Sequence, residues 1–227
     1  MSLRYRRVMS SYKKAVAGGW WLSGGISAAN CLAAYQAYGA SSQADSYKNL
    51  ANPGTYDLTL GIGTLAWATD TGWVFDDDDE RLDTGITIPS ASSSTVPYTV
   101  IIWLKVESSG GLNFGKAFSN GNDNGFSLIP FATQITPDGP EYKNGGVLKP
   151  GGALGTYIYT IAGNTGYLDG VSEGSIATGD VTAGELFIGN RSDNKLGLDG
   201  EIYVVSVYNT VLNQTQVQAV GTAINAL

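Results

Sequence analysis

The nine residues 98–106, YTVIIWLKV, constrain the fold of this chain more than any other stretch. In an extended segment Val100, Ile102, Leu104 and Val106 fall on one face and Ile101 and Trp103 on the other. An apolar run on both faces marks a central strand. From residue 57 onward, shorter segments of the same kind recur at 64–68, 72–75, 82–88, 112–118, 126–131, 157–162, 166–168, 185–188 and 201–208. The junctions carry turn chemistry, with SNGNDNG, AGNTG, LDGV, IGNRSDN and GLDGE between apolar runs. Residues 132–152 read as a loop. Short strands at regular spacing with such turns predict an all-β sandwich or barrel.

Composition agrees and narrows the chemistry. The chain has 227 residues, 43% hydrophobic, enough for a sizeable core in one large domain or two small ones. Its 31 glycines and 13 tyrosines suit strands joined by tight turns. There is no histidine, which removes the usual general base, the Ser–His and Cys–His pairs and the common zinc ligand. Cys31 is the only cysteine, so no intrachain disulfide forms, and it reads as a small apolar residue.

Charge is unevenly spread. Arg4, Arg6, Arg7, Lys13 and Lys14 supply five of the 13 basic residues, and no acidic residue precedes Asp45. The chain's net charge is −7 and every acidic residue lies in the body, which argues against nucleic acid as the body's partner. A basic arm on an acidic body points to a segment that docks on something else. Trp20 and Trp21, beside the arm, are expected to pack against a partner subunit, which implies a homo-oligomer. No run approaches the roughly 18 apolar residues of a membrane span. Residues 13–29 begin basic, but glycines and serines break their apolar part, so neither a secretory signal nor a lipid anchor is expected.

Two helices are predicted. Residues 28–37 are rich in alanine, with leucine and glutamine, and favour a short helix. Near the C-terminus, Asn213 and Gln216 have capping-box spacing, and Val217, Val220 and Ile224 share a helical face, so a helix over 214–223 should pack on the sandwich.

These stretches resemble a family. GWVFDDDDERLDTGITI resembles the opening strand pair of laminin G-like, concanavalin A-type jelly rolls, and YTVIIWLKVES the strand after it. GYLDGV resembles a hairpin of that family, and ELFIGNR with LDGEIYVVSVYNTVLNQTQVQAV its closing strands and capped helix. The resemblance implies a two-sheet antiparallel jelly roll over residues 31–227, behind an N-terminal docking arm over 1–30. AAYQAYGASSQADSYKNLANPGTYDLT is similar to the leader that precedes this domain in phage and prophage proteins. That likeness implies a non-enzymatic virion protein, a capsid decoration or tail-associated module on the particle surface. Its arm would hold other virion proteins, its sandwich would bind surface glycans, and neither nucleic acid nor membrane is an expected partner. A calcium-dependent carbohydrate-binding or adhesion domain outside a virion is the alternative, and a glycan-cleaving enzyme the next, since the fold hosts all of these.

The acidic run 76–80, DDDDE, is the sharpest chemical feature. It reads as a solvated hairpin tip between strands, because aspartate tolerates turn geometry. Alternatively Asp76, Asp77 and Asp78, with Asp123 of SNGNDNG, supply oxygens to calcium, which takes about 6–8 of them. NRSDNKLGLDG, residues 190–200, is a further Asn/Asp/Gly loop. The Glu-x-Asp-x-x-Glu pattern of glycanases with this fold is missing; Asp199 and Glu201, two apart on one strand face, are the nearest approach to a carboxylate pair. For sugar stacking, Trp73 and Trp103 read as core, Trp67 as core or rim, and Tyr157 and Tyr159 share a strand face.

Overall fold

The computed structural model describes residues 19–76, 79–91, 96–106, 117–120, 126–129, 141–144, 155–175, 181–190 and 197–227. Arg4, Arg6, Arg7, Lys13, Lys14, Asp77, Asp78 and Asp123 lie outside them. Tight 3-10 turns at Trp20–Leu22 and Ala28–Asn30 lead into β1 (Cys31–Gln36), α1 (Gln43–Ser46), β2 (Thr59–Ile62), β3 (Ala66–Ala68), β4 (Gly72–Asp76), β5 (Arg81–Ile88) and β6 (Thr99–Val106). Next come β7 (Phe118–Ser119), β8 (Phe126–Ile129), β9 (Glu141–Asn144), β10 (Gly155–Ala162), β11 (Thr165–Leu168), β12 (Val171–Ser175), β13 (Gly184–Ile188), β14 (Asp199–Tyr208) and α2 (Gln214–Ile224).

Among the described residues the strands form two antiparallel sheets. The larger runs β12-β11-β10-β6-β14-β4-β3, with β1 also on β14; the smaller runs β2-β5-β13-β7-β8-β9. The all-β, two-sheet sandwich with a C-terminal helix is as predicted. β6 is central, paired along its length with β10 and β14. Its Val100, Ile102, Leu104 and Val106 enter the core between the sheets, with Trp73, Phe75, Leu82 and Ile188 from other strands. Gly189 shows how closely the layers meet: its φ is +84°, and a Cβ there would overlap the Phe75 ring.

The predicted helix over 28–37 is instead a 3-10 turn followed by β1. Alanine's helix preference, below about 0.7 kcal/mol per residue against most alternatives, yields to pairing and burial. Ala33–Gln36 pair with Val207–Val204, and Ala33 and Tyr35 join the inter-sheet core. The other edge of β1 is closed by Asn49, whose Oδ1 accepts from Ala34 N (3.0 Å) and whose Nδ2 donates to Leu32 O (2.9 Å). A side chain thus satisfies an edge that would otherwise offer itself to another strand.

A second correction concerns the acidic run. Gly72–Asp76 belongs to the larger sheet and Arg81–Ile88 to the smaller, so the strands on either side of the acidic run do not pair as a hairpin. β4 pairs with β14 and β3, whereas β5 pairs with β13 and β2.

The outer face of the larger sheet carries a second apolar cluster. The capping box at Asn213 and Gln216 is present, and α2 turns Val217, Val220 and Ile224 onto this face, as predicted. Trp20 and Ile26 pack there beside Ala34 and Tyr208, so the predicted boundary at residue 30 runs through one cluster. Trp20, expected on a partner subunit, is buried within its own chain, and its indole N–H donates to Gln36 Oε1 (3.2 Å). Trp21 packs edge-on to Trp20 at 5.6 Å and is half-buried; its carbonyl accepts from Tyr208 Oη (2.9 Å).

Candidate functional site

Past the reach of α2, the outer face of the larger sheet changes character. Strand alternation turns Trp103 and Lys105 of β6 outward, since Ile102, Leu104 and Val106 point into the core. Glu201 of β14 lies opposite Lys105. Between Ile202 and Val204 a bulge adds a residue to β14, so that Tyr203 and Val204 both face the outer cluster. Tyr38 reaches the same spot from the bend after β1, where its N–H and that of Ala37 donate to Tyr203 O.

Three rings meet as a result. Trp103 and Tyr203 lie 4.6 Å apart between centroids, Tyr38 and Trp103 5.6 Å, and Tyr38 and Tyr203 5.8 Å. Trp103 and Tyr38 are half-buried, with ring surface open to solvent, while Tyr203 is buried beneath them. Trp103, read from sequence as core, thus stands outside the inter-sheet core.

A polar group borders the rings. Lys105 Nζ donates to Glu201 Oε1 (3.2 Å), and Tyr203 Oη donates to Glu201 Oε2 (2.6 Å). Burial, and then Glu201, push the Tyr203 phenol well above its usual range, so it remains an O–H donor. The ion pair is part-exposed and of small energetic value, about 0–1 kcal/mol; its importance is that it fixes both groups. Thr156 of β10, opposite Lys105, is exposed beside them.

One row further along β14, Asp199 lies opposite Asp76. Gly200 between Asp199 and Glu201 pairs with the core residues Phe75 and Val106, so the two carboxylates do share the outer face. Glu80, at the end of the acidic run, is buried, and its carboxyl hydrogen-bonds to Asp76. Burial first, and then this bond, raise the Glu80 carboxyl to about 7. The run is therefore not wholly a solvated tip: its last residue is folded into the protein and paired with its first. Among the described residues no group of three or more Asp, Glu, His or Cys is placed to hold a metal ion.

The raised Glu80 sets a pH dependence. A carboxyl that holds its proton more tightly when folded contributes stability that is complete below its unfolded value and is lost as pH rises through its folded value. The window here runs from about 4.5 to about 7. Glu80→Gln, which imitates the protonated form, is expected to flatten the urea midpoint over that window and to be the more stable protein at pH 8. Parallel profiles for the two proteins would show that Glu80 does not titrate in this way.

The other aromatic candidates are structural. Trp73 is buried and donates to Ser46 Oγ (2.8 Å); Trp67 is half-buried at the rim and donates to Ala37 O (3.1 Å). Tyr157 and Tyr159 do share a face, with rings 6.0 Å apart, but it is the inner one. Sequence reasoning missed Tyr38, Lys105 and Tyr203. Trp103-x-Lys105 and Glu201-x-Tyr203 have the spacing of one strand face, a signal that gains meaning only when the two strands are known to be neighbours.

Comparison with known proteins places the fold. The family described as the concanavalin A-like lectin/glucanases superfamily matches residues 78–218. Domain 4 of AbnA, a GH43 extracellular arabinanase from Geobacillus stearothermophilus solved with arabinotriose, is similar at 21% identity and a TM-score of 0.54, over 85% of this chain and 98% of that domain. Trypanosoma rangeli sialidase in complex with 2,3-difluoro-KDN is similar at 11% identity and a TM-score of 0.59, over 87% of this chain. The chain spans 33% of the sialidase. No curated protein sequence matches.

Proposed function

The chain belongs to the concanavalin A-like lectin/glucanases superfamily, and from that premise we propose that its sandwich is a non-enzymatic glycan-binding module with Trp103, Tyr38 and Tyr203 as its platform. The observation that carries the reading is the half-exposed aromatic group set against the Lys105–Glu201–Tyr203 network. Sugar rings present C–H faces that lie against aromatic faces, and their hydroxyls need a few fixed polar partners beside them. The platform meets both needs. Glu201 supports a binding role over a catalytic one, because both its oxygens are engaged by donors of the protein. The platform's polar partners are the protein's own side chains, so binding is expected to survive a calcium chelator.

A second element of the proposal is attachment to a larger assembly, a phage-type particle, with the module displayed on its surface. Its support is the charge asymmetry of the chain, with Arg4, Arg6, Arg7, Lys13 and Lys14 ahead of an acidic body. Copurification with particles, lost when residues 1–18 are removed, tests that element.

The binding reading is tested by titration calorimetry against an oligosaccharide panel. Trp103→Ala is expected to weaken binding by about 30-fold or more, the effect of losing about 2 kcal/mol at an aromatic hot spot. Equal affinity in the folded variant would overturn the assignment of the platform.

A further inference from the structure

We infer that the platform selects neutral oligosaccharides over anionic ones, and that Glu201 and Asp199 set this selection; the inference rests on the glycan-binding reading above. A carboxylated sugar is recognised by a cation available to pair with it. The cation beside the rings is Lys105, and Glu201 already neutralises it at 3.2 Å. The next row holds Asp199 opposite Asp76, with the outer face of β14 thus bearing two carboxylates in succession. Two residues along a strand span about 6.8 Å, inside the Debye length of about 8 Å at physiological salt. A sugar carboxylate brought up to Lys105, in the Glu201 row, would therefore feel Asp199 with little screening.

Neutral sugars meet no such cost. A hydroxyl donates to a carboxylate as readily as it accepts from a lysine, and exposed Thr156 adds a partner of the same kind. Beyond the site, the body's charge reinforces the local sign: from residue 15 onward only eight basic residues remain against 20 acidic ones.

The test uses two probes of equal length, a neutral β-gluco-oligosaccharide and its counterpart oxidised at C6 to uronates, titrated into the full chain. The neutral probe is expected to bind at least about tenfold more tightly at low salt, with the gap narrowing as salt screens the carboxylates. Glu201→Gln keeps the side-chain shape and an oxygen that accepts a hydrogen bond, while removing the charge that neutralises Lys105. It is expected to raise the uronate-to-neutral affinity ratio about fivefold. Asp199→Asn, at a half-exposed strand end, gives an independent reading and should raise the ratio about threefold. A native preference for the uronate, or a ratio unmoved by both variants, would overturn the inference while leaving glycan binding intact. Binding of neither probe would remove the glycan reading and this inference together.

Discussion

Trp73→Ala is expected to lower the unfolding free energy by about 3–5 kcal/mol, the range for deleting a large aromatic from a packed core. Trp73 is fully buried on β4, between β3 and β14. Its ring faces the inter-sheet core, and its indole N–H reaches Ser46 Oγ at 2.8 Å, itself buried. Ser46 in turn donates to Gln43 O (2.6 Å), and Tyr47 packs 6.2 Å from the indole. One residue therefore fills the core and ties α1 to the sandwich. Trp73→Phe separates the two roles: it keeps most of the volume and loses the N–H, so a smaller loss of about 1–2 kcal/mol is expected. Urea unfolding followed by tryptophan fluorescence and circular dichroism reads both. A loss below about 1 kcal/mol for the alanine variant, with an unchanged denaturant slope, would contradict the packing described for β4.

Val220→Asp is expected to be comparably severe, at about 4 kcal/mol or more. Val220 is fully buried where α2 meets the outer face of the larger sheet, among Ile101, Ile158 and Val204. A carboxylate there has no partner, so it either stays protonated or lifts the helix. Its pKa is then raised on folding, and the loss should shrink as the pH falls from the raised folded value to the usual carboxylate range, below which it no longer changes. Thr215→Asp is the control: it is exposed in the first turn of α2, where a negative charge suits the helix end, and it should change stability by less than about 0.5 kcal/mol. Equal effects for the two would mean that α2 is not part of the fold's second cluster.

What was legible in the sequence was local. β6 announced itself because apolar residues on both faces of a nine-residue run suit a strand with neighbours on each side. The capping box of α2 could be read from Asn213 and Gln216 alone. The misreadings came where a distant partner decides the outcome. Alanine-rich β1 has helix-forming residues, but Val204–Val207 and Asn49 claim its backbone. The acidic run looked like a hairpin because strand-like residues flank it, yet β4 pairs with β14 and β5 with β13, in different sheets. The site was the least legible part. Tyr38, Trp103 and Tyr203 come from three segments, and a bulge in β14 brings the last of them into place. Trp20 carried the opposite lesson. An aromatic beside a basic arm suggested an outward surface, while α2 and β1 supply an apolar cluster that takes it inward.

The measurement that bears most directly on glycan binding by the platform is a glycan-array screen of the native chain, run with calcium and again with chelator. Specific signal on neutral glycans that persists in chelator, and that disappears with Trp103→Ala, is the predicted result. Silence in both conditions, or signal that chelator abolishes, would contradict it; the second outcome would return attention to Asp76, Asp77, Asp78 and Asp123 as oxygen donors to calcium.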